Sequence, residues 1–307
     1  MAKPNKQAHR IKSVKPNTRL TDYAAQIFPI LGSRTAAKKA IAAGTLLVND
    51  DLANEGMFVK KGDVLVLKIK TVKRPKVDID LPVVFEDDYL IVINKPAGIA
   101  VNGNRNKTVE NAVIGFAKQS HQADTLQSPR AVHRIDVPTK GLILLAKTKT
   151  ALIKLSKAFQ DNEVKKTYLA VVHGKTEREG QIDEPVQGKK AITNYKTLKV
   201  VSSKIFQHLS LIELQPITGR THQLRIHLNN LGHLIMGDKE YAGHKRTILG
   251  KGLFLCAYQL EFLHPITKES MHLKIDPPKR FLKTLEREGG RFNKRTRRPN
   301  AKKKTRR

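Results

Sequence analysis

Three residues able to do chemistry, His133, Arg134 and Asp136, stand just ahead of the aliphatic run Leu142 to Ala146 in the stretch AVHRIDVPTKGLILLAKT, residues 131–148. The run has the length of a buried strand, opened by Gly141 and closed by Lys147. An acid held near apolar surface costs free energy unless a partner compensates it. Spacing alone leaves two readings open, an acid that caps a turn and an acid placed to react. Further along, VKKTYLAVVHG reads as a strand in which Lys166 and Tyr168, two apart, share a face. The segment PITGRTHQLRIHLNNLGH turns at Thr218-Gly219 into a helix expected over 221–231, carrying Arg220, His222, Arg225 and His227. The two histidines are five apart, share no helical face well, and have no thiol or carboxylate to complete a set, so no metal site is signalled. There is no phosphate-binding glycine loop after a strand and no paired-cysteine motif, so no cofactor is signalled either.

The elements that must position these residues lie in a chain of 307 residues, long enough for two domains. Lys and Arg number 58 against 27 Asp and Glu, a formal charge of +31, which points to a polyanionic partner. Residues 1–19 carry six Lys or Arg and residues 291–307 carry ten, with no acid in either. Both ends, 1–18 and 291–307, are expected to be disordered basic arms that bind phosphate backbones without reading sequence. A run of about 18 apolar residues is missing, as is the apolar core of a secretory signal, so no membrane partner is expected and the cytoplasm is the expected location. The one cysteine, Cys256, sits in FLCAYQLEF and reads as a buried strand thiol. Nothing in the chain asks for more than a monomer.

Residues 19–70 read as a unit of their own. A second helix over 33–43 is capped by Ser33 and stopped by Gly44, with Arg34, Lys38 and Lys39 on it and 34 and 38 on one face. Two short strands with turns at Asn49-Asp50 and Lys61-Gly62-Asp63 follow. Residues 71–80 read as a linker. The next unit, 81–290, opens with strands near 83–86 and 89–94 around Asp87-Asp88, a tight hairpin expected to hold Glu86, Asp87 and Asp88 in water. A helix over 108–119 with Thr108 as N-cap, one over 149–160, and a hairpin pairing AITNYKTLKVV with FQHLSLIELQP come next. Strands FLCAYQLEFL and MHLKID and a short helix close the unit. Many hairpins and few strand–helix–strand repeats are compatible with an α+β fold.

The first unit resembles the small RNA-binding module named for ribosomal protein S-four, through its basic helix pair and its "G-x-L-x-VN" and "GD-x-L-x-V" strands. The second resembles RluA-type pseudouridine synthases over residues 83–278: EDDYLIVINKPAG, HRIDVPTKGLILLAKT, KKTYLAVVHG, ITGRTHQLRIHLNNLGH, MGDKEY and LHPITKE occur in the family's order. The family usually has Leu at Ile135, Ser at Lys140, Pro at Leu234 and His at Cys256; Lys140, close to Asp136, puts fine RNA specificity in question.

The resemblance implies a mixed, mainly antiparallel sheet with flanking helices and a central catalytic cleft, preceded by the small α/β RNA-binding module. It implies cleavage of the N1–C1′ bond of a uridine in RNA and rejoining through C5, with no cofactor and no metal. Asp136 matches the family's catalytic aspartate, acting at C1′ or on the C2′ proton. Arg225 matches the arginine that pairs with it, and Tyr168 the tyrosine that stacks on uracil. Arg134 matches the residue that fills the stack once the nucleotide is flipped. His133 and Thr139 are expected to shape the loop, and Arg220 and His222 to fix the helix start or touch RNA. Large-subunit ribosomal RNA is the expected substrate, transfer RNA the alternative. A nucleoside hydrolase commonly brings two carboxylates to C1′, where the central motif supplies one. A ribosome-assembly factor on the same fold would need no such reactive set.

Overall fold

A computed structural model describes residues 6–68, 77–243 and 250–296; most of the expected linker, 71–76, and the ends 1–5 and 297–307 lie outside the described residues. The N-terminal module runs β1 (Lys6–Arg10), α1 (Leu20–Ile27), α2 (Arg34–Ala42), β2 (Leu46–Val48), β3 (Asp51–Leu52) and β4 (Val64–Lys68), with sheet order β1-β4-β2-β3. As expected, Ser33 caps α2, its hydroxyl accepting the Ala36 N–H at 3.2 Å. Asn49 and Asp50 both take positive φ, 52° and 69°, the left-handed turn that suits a two-residue hairpin. Leu20, Phe28, Ile41, Leu46 and Leu65 form the core between helices and sheet.

One expectation fails here. Residues 6–10, assigned to a disordered arm, form β1 antiparallel to β4, and Ile11 beyond it is buried. Composition hides an edge strand that contributes little apolar surface: KQAHR gains its place from backbone hydrogen bonds along an otherwise open edge of β4.

The second unit continues β5 (Val83–Glu86), β6 (Leu90–Lys95), α3 (Val109–Val113), β7 (Thr125–Ala131), β8 (Lys140–Thr148), α4 (Lys149–Gln160), β9 (Lys165–His173) and β10 (Glu179–Asp183). It ends β11 (Ile192–Ser203), β12 (Gln207–Pro216), α5 (Gln223–Asn230), β13 (Leu255–Leu263), β14 (Ser270–Lys274) and α6 (Lys279–Thr296). Ten of these strands make one sheet, β10-β11-β12-β9-β13-β8-β6-β5, with β14 against β13 and β7 against β8. Pairing is antiparallel except where β8 and β13 meet in parallel. The expected hairpin is β11–β12, and α4 starts and stops where the sequence placed it.

The aliphatic run is buried on both faces. Ile143 and Leu145 join the core under α3, while Leu142, Leu144 and Ala146 join the core under α4. Gly141 makes the junction with β13 possible: its φ is +127° and a Cβ there would lie 2.1 Å from the Ala257 carbonyl oxygen. The residues between the end of β7 at Ala131 and the start of β8 at Lys140 form the loop that holds Asp136.

Several boundaries shift. The helix expected over 108–119 is regular only through Val113; beyond it Gly115 and Phe116 bond three residues back, in tighter turns. Residues 291–296, assigned to the basic tail, continue α6. The acids at the β5–β6 turn are not simply in water. Glu86, its side chain 9% exposed, pairs with buried Lys147 at 2.9 Å, and Asp87 meets His264 at 2.9 Å and the backbone N–H groups of Tyr89 and Leu90. No helix among the described residues is long and apolar enough to cross a membrane.

Candidate active site

The loop between β7 and β8 carries His133, Arg134 and Asp136, and three features fix it. Ile135 is buried in the core beneath, and the Thr139 N–H bonds back to the Asp136 carbonyl at 3.0 Å. The carbonyl of Val137 accepts from the Gly98 N–H at 2.8 Å and from Lys95 Nζ at 3.2 Å. Lys95 is wholly buried, and its ammonium also donates to the carbonyls of Pro96 and Ile99. Burial lowers its pKa to about 8, with the charge of Asp136 working the other way. The sequence reading missed Lys95; a lysine closing the apolar strand LIVINK was the signal available.

His133 holds the loop from the other side. Its Nε2 accepts the Leu144 N–H at 3.0 Å and its ring stacks on Phe159 with centroids 4.4 Å apart. Burial, then the charge of Lys166, lowers its pKa to about 3, so it stays neutral. The expected loop-shaping role fits this geometry.

Arg225, on α5, reaches Asp136 with Nη1 3.7 Å from Oδ2. Its tighter bonds are elsewhere: Nε and Nη2 each donate to buried Asp238 at 2.7 Å, and Nη2 also meets Glu240 at 3.0 Å. Its Cζ lies 4.9 Å over the Tyr241 ring. Burial works against the guanidinium charge, but the hydrogen bonds and charges of Asp238 and Glu240 outweigh it and raise the pKa. Asp238 and Glu240 escaped the sequence reading, although both stand in the MGDKEY stretch.

The expected helix start moves by two residues because His222 adopts a left-handed backbone, φ 57°, as the residue before α5. That places its Nε2 3.7 Å from Asp136 Oδ1 and its Nδ1 2.9 Å from the Tyr241 hydroxyl and 3.3 Å from Glu240. Arg220 is exposed and donates from Nε to the Lys190 carbonyl at 3.0 Å. His227 points away from the cleft, engaged by Thr193 and the Glu184 carbonyl.

Tyr168 rises from β9 into the same cleft, a space of about 540 Å³. Burial, followed by the nearby charge of Asp136, raises its pKa, so the ring is a neutral, flat, apolar wall. Of the described residues lining the cleft, Asp136 is the one carboxylate, while Arg134, Lys166, Arg220 and Arg225 supply cations. The arrangement can stack a planar ring on Tyr168, place its attached sugar by Asp136, and receive an anionic chain. Arg34, Lys38 and Lys39 lie instead on the N-terminal module, all exposed. There Arg34 pairs with Asp22 at 3.4 Å and Lys38 with Glu55 at 2.8 Å, surface contacts that hold them weakly.

With this geometry in place, the chain can be compared with known proteins. The RNA pseudouridylate synthase family model matches residues 89–230. Ribosomal large subunit pseudouridine synthase C of Rickettsia bellii is 31% identical over 299 residues, spanning 86% of this chain and 96% of that protein. Ribosomal large subunit pseudouridine synthase D of Vibrio cholerae is 31% identical over 303 residues, spanning 87% and 90%. Among solved structures, Human RNA Pseudouridylate Synthase Domain Containing 4 has a TM-score of 0.55 at 26% identity, covering 67% of this chain and 92% of that one.

Proposed function

This chain belongs to the RNA pseudouridine synthase family, and we propose that it isomerises uridines of large-subunit ribosomal RNA with Asp136 as the group that acts on the sugar. The observation that carries this reading is the convergence of Asp136, Arg225 and Tyr168, from three separate elements, on one cleft whose lining, among the described residues, holds a single carboxylate among cations. A hydrolase working at C1′ would bring two carboxylates to the bond.

The uridine is flipped out of its stack, and Arg134 at the cleft rim takes the vacated place, offsetting part of an unstacking cost of a few kcal/mol. The uracil lies on Tyr168. Asp136 then attacks C1′ or removes the C2′ proton, and the N1–C1′ bond breaks. Arg225, anchored by Asp238, orients the carboxylate throughout. The detached base turns on the Tyr168 face, in a site poor in water, until C5 faces C1′. The C5–C1′ bond forms as the Asp136–C1′ bond breaks or, on the other route, as C2′ takes its proton back from Asp136; C5 then loses its proton and N1 gains one, so the reaction needs no redox partner. His222 and Arg220 sit where the strand would enter beside α5. The N-terminal module serves as an RNA-binding module through Arg34, Lys38 and Lys39, whose exposed charges suit phosphate contacts. The ribosomal substrate is supported by the printed names of the relatives and by the basic character of the chain.

Tritium release from RNA labelled at uridine C5 tests the reading, using unmodified large-subunit ribosomal RNA and transfer RNA. Release from ribosomal RNA by the wild type, lost in Asp136→Asn while RNA affinity holds, is expected. Full release by Asp136→Asn would refute the assignment of Asp136, and release from transfer RNA alone would refute the substrate.

A further inference from the structure

Lys166 has no assigned role, and its setting calls for one. It lines the cleft from β9, on the same strand face as Tyr168 and about 7 Å from it at two residues' rise. Arg225 is tied to Asp238 and Glu240, and Arg220 to the Lys190 carbonyl. Among the described residues, by contrast, no hydrogen bond or ion pair engages the Lys166 ammonium. Burial lowers its pKa, and no acid offsets that effect. A half-buried ammonium without a partner is unfavourable, and folding offers no reason to hold one there. The same cleft is also lined by uncharged polar groups, Ser156 and Gln160 one helical turn apart on α4 and Asn162 after it. Among the described residues Asp136 is the one carboxylate lining this cleft, and its ion pairs are with Arg225 and His222, so Lys166 is left without a counter-anion.

Resting on the function proposed above, we propose that Lys166 binds the phosphodiester adjoining the flipped uridine and so positions the nucleotide whose base lies on Tyr168. An ammonium is a compact charge with three donors and no acceptor, suited to phosphate oxygens met at varying angles. A base on Tyr168 with its sugar at Asp136 places the backbone of that nucleotide along this face of β9. The phosphate supplies the countercharge that the protein withholds, so the contact forms when RNA is bound.

The test is RNA binding as a function of salt by Lys166→Met, Lys166→Gln and Lys166→Arg. It uses the full chain, large-subunit ribosomal RNA, and an Asp136→Asn background that prevents turnover. Single-turnover rates at saturating RNA are then measured with Asp136 intact. Loss of one phosphate contact lowers the slope of log affinity against log salt by about 0.7 to 0.9. It also weakens binding roughly tenfold or more at low salt. Lys166→Arg should restore both the slope and the affinity. An unchanged slope in the neutral variants overturns the proposal, as does a collapse of the saturating rate with the slope intact, which would place Lys166 on the base. The slope is read from binding, so it still reports on Lys166 if the isomerase reading fails and no tritium is released by the wild type.

Discussion

Replacing Arg225 with methionine separates two duties that one side chain performs. Asp238 is fully buried on its side chain and receives two bonds of 2.7 Å from Arg225. Without them it keeps, among the described residues, the backbone N–H groups of Glu240 at 3.1 Å and Tyr241 at 3.3 Å. Stripping one partner from such a pair costs about 3–5 kcal/mol. Loss of the guanidinium over the Tyr241 ring adds about 0.5–1 kcal/mol. Asp238→Asn, which keeps shape but not charge, should cost about 1.5–3 kcal/mol. If the pair is a unit, the double variant Arg225→Met/Asp238→Asn loses less than the sum, leaving a coupling of up to about 3 kcal/mol in urea unfolding. Activity should not recover with stability. Asp136 no longer has its cation at 3.7 Å, so tritium release by the double variant, measured where it is fully folded, should fall by about 10²–10³. Additive unfolding energies would refute the buried unit. Release within about tenfold of wild type would show that Arg225 serves the fold alone.

His133 gives a pH signature. Its folded pKa is lowered to about 3 by burial and by Lys166, whereas the unfolded imidazole titrates near 6.5. Between those values the unfolded state holds the extra proton, so stability present above about pH 6.5 is lost as pH falls, by at most about 1.4 kcal/mol per pH unit. In His133→Gln, whose amide oxygen can still accept the Leu144 N–H, urea titrations should show a flatter acid limb; an unchanged limb would assign it to other groups. Deleting residues 297–307, with seven Lys or Arg, should weaken RNA binding and make its salt slope shallower while saturating turnover holds. An unaltered slope would mean that this segment makes no phosphate contacts.

What the sequence disclosed followed the range of the interactions involved. Ser33 as a cap, the 149–160 helix, the β11–β12 hairpin and the doubly buried run 142–146 rest on neighbours in the chain, and each was legible. The placement of Asp136 beside Arg225 was legible through the resemblance, since spacing alone left Asp136 undecided between a cap and a reactive acid. Partnerships of long range were not. Lys95 reaches Val137 across 42 residues, Lys147 reaches Glu86 across 61, and β1 finds β4 across more than fifty. Period and composition carry no signal for contacts of that kind. His222 shows a subtler failure: helical spacing predicted a start at Thr221, but a left-handed histidine delays it so that its ring can face Asp136.

The order of bond lengths around Arg225 bears on how the site works. The arginine is bound first to Asp238, at 2.7 Å, and reaches Asp136 only at 3.7 Å. A carboxylate locked in a bidentate pair would have its oxygens committed, and reaching the sugar would require breaking the pair. Here the scaffold acid takes the short bonds and fixes the guanidinium, while Asp136, its side chain 18% exposed and lining the cleft, has Arg225 no nearer than 3.7 Å. Lys95 fixes the same aspartate from behind through the Val137 carbonyl and touches neither of its oxygens. On the proposed function, Asp136 would be oriented by groups that leave its oxygens uncommitted, and the remaining cations of the cleft lining would meet the RNA strand.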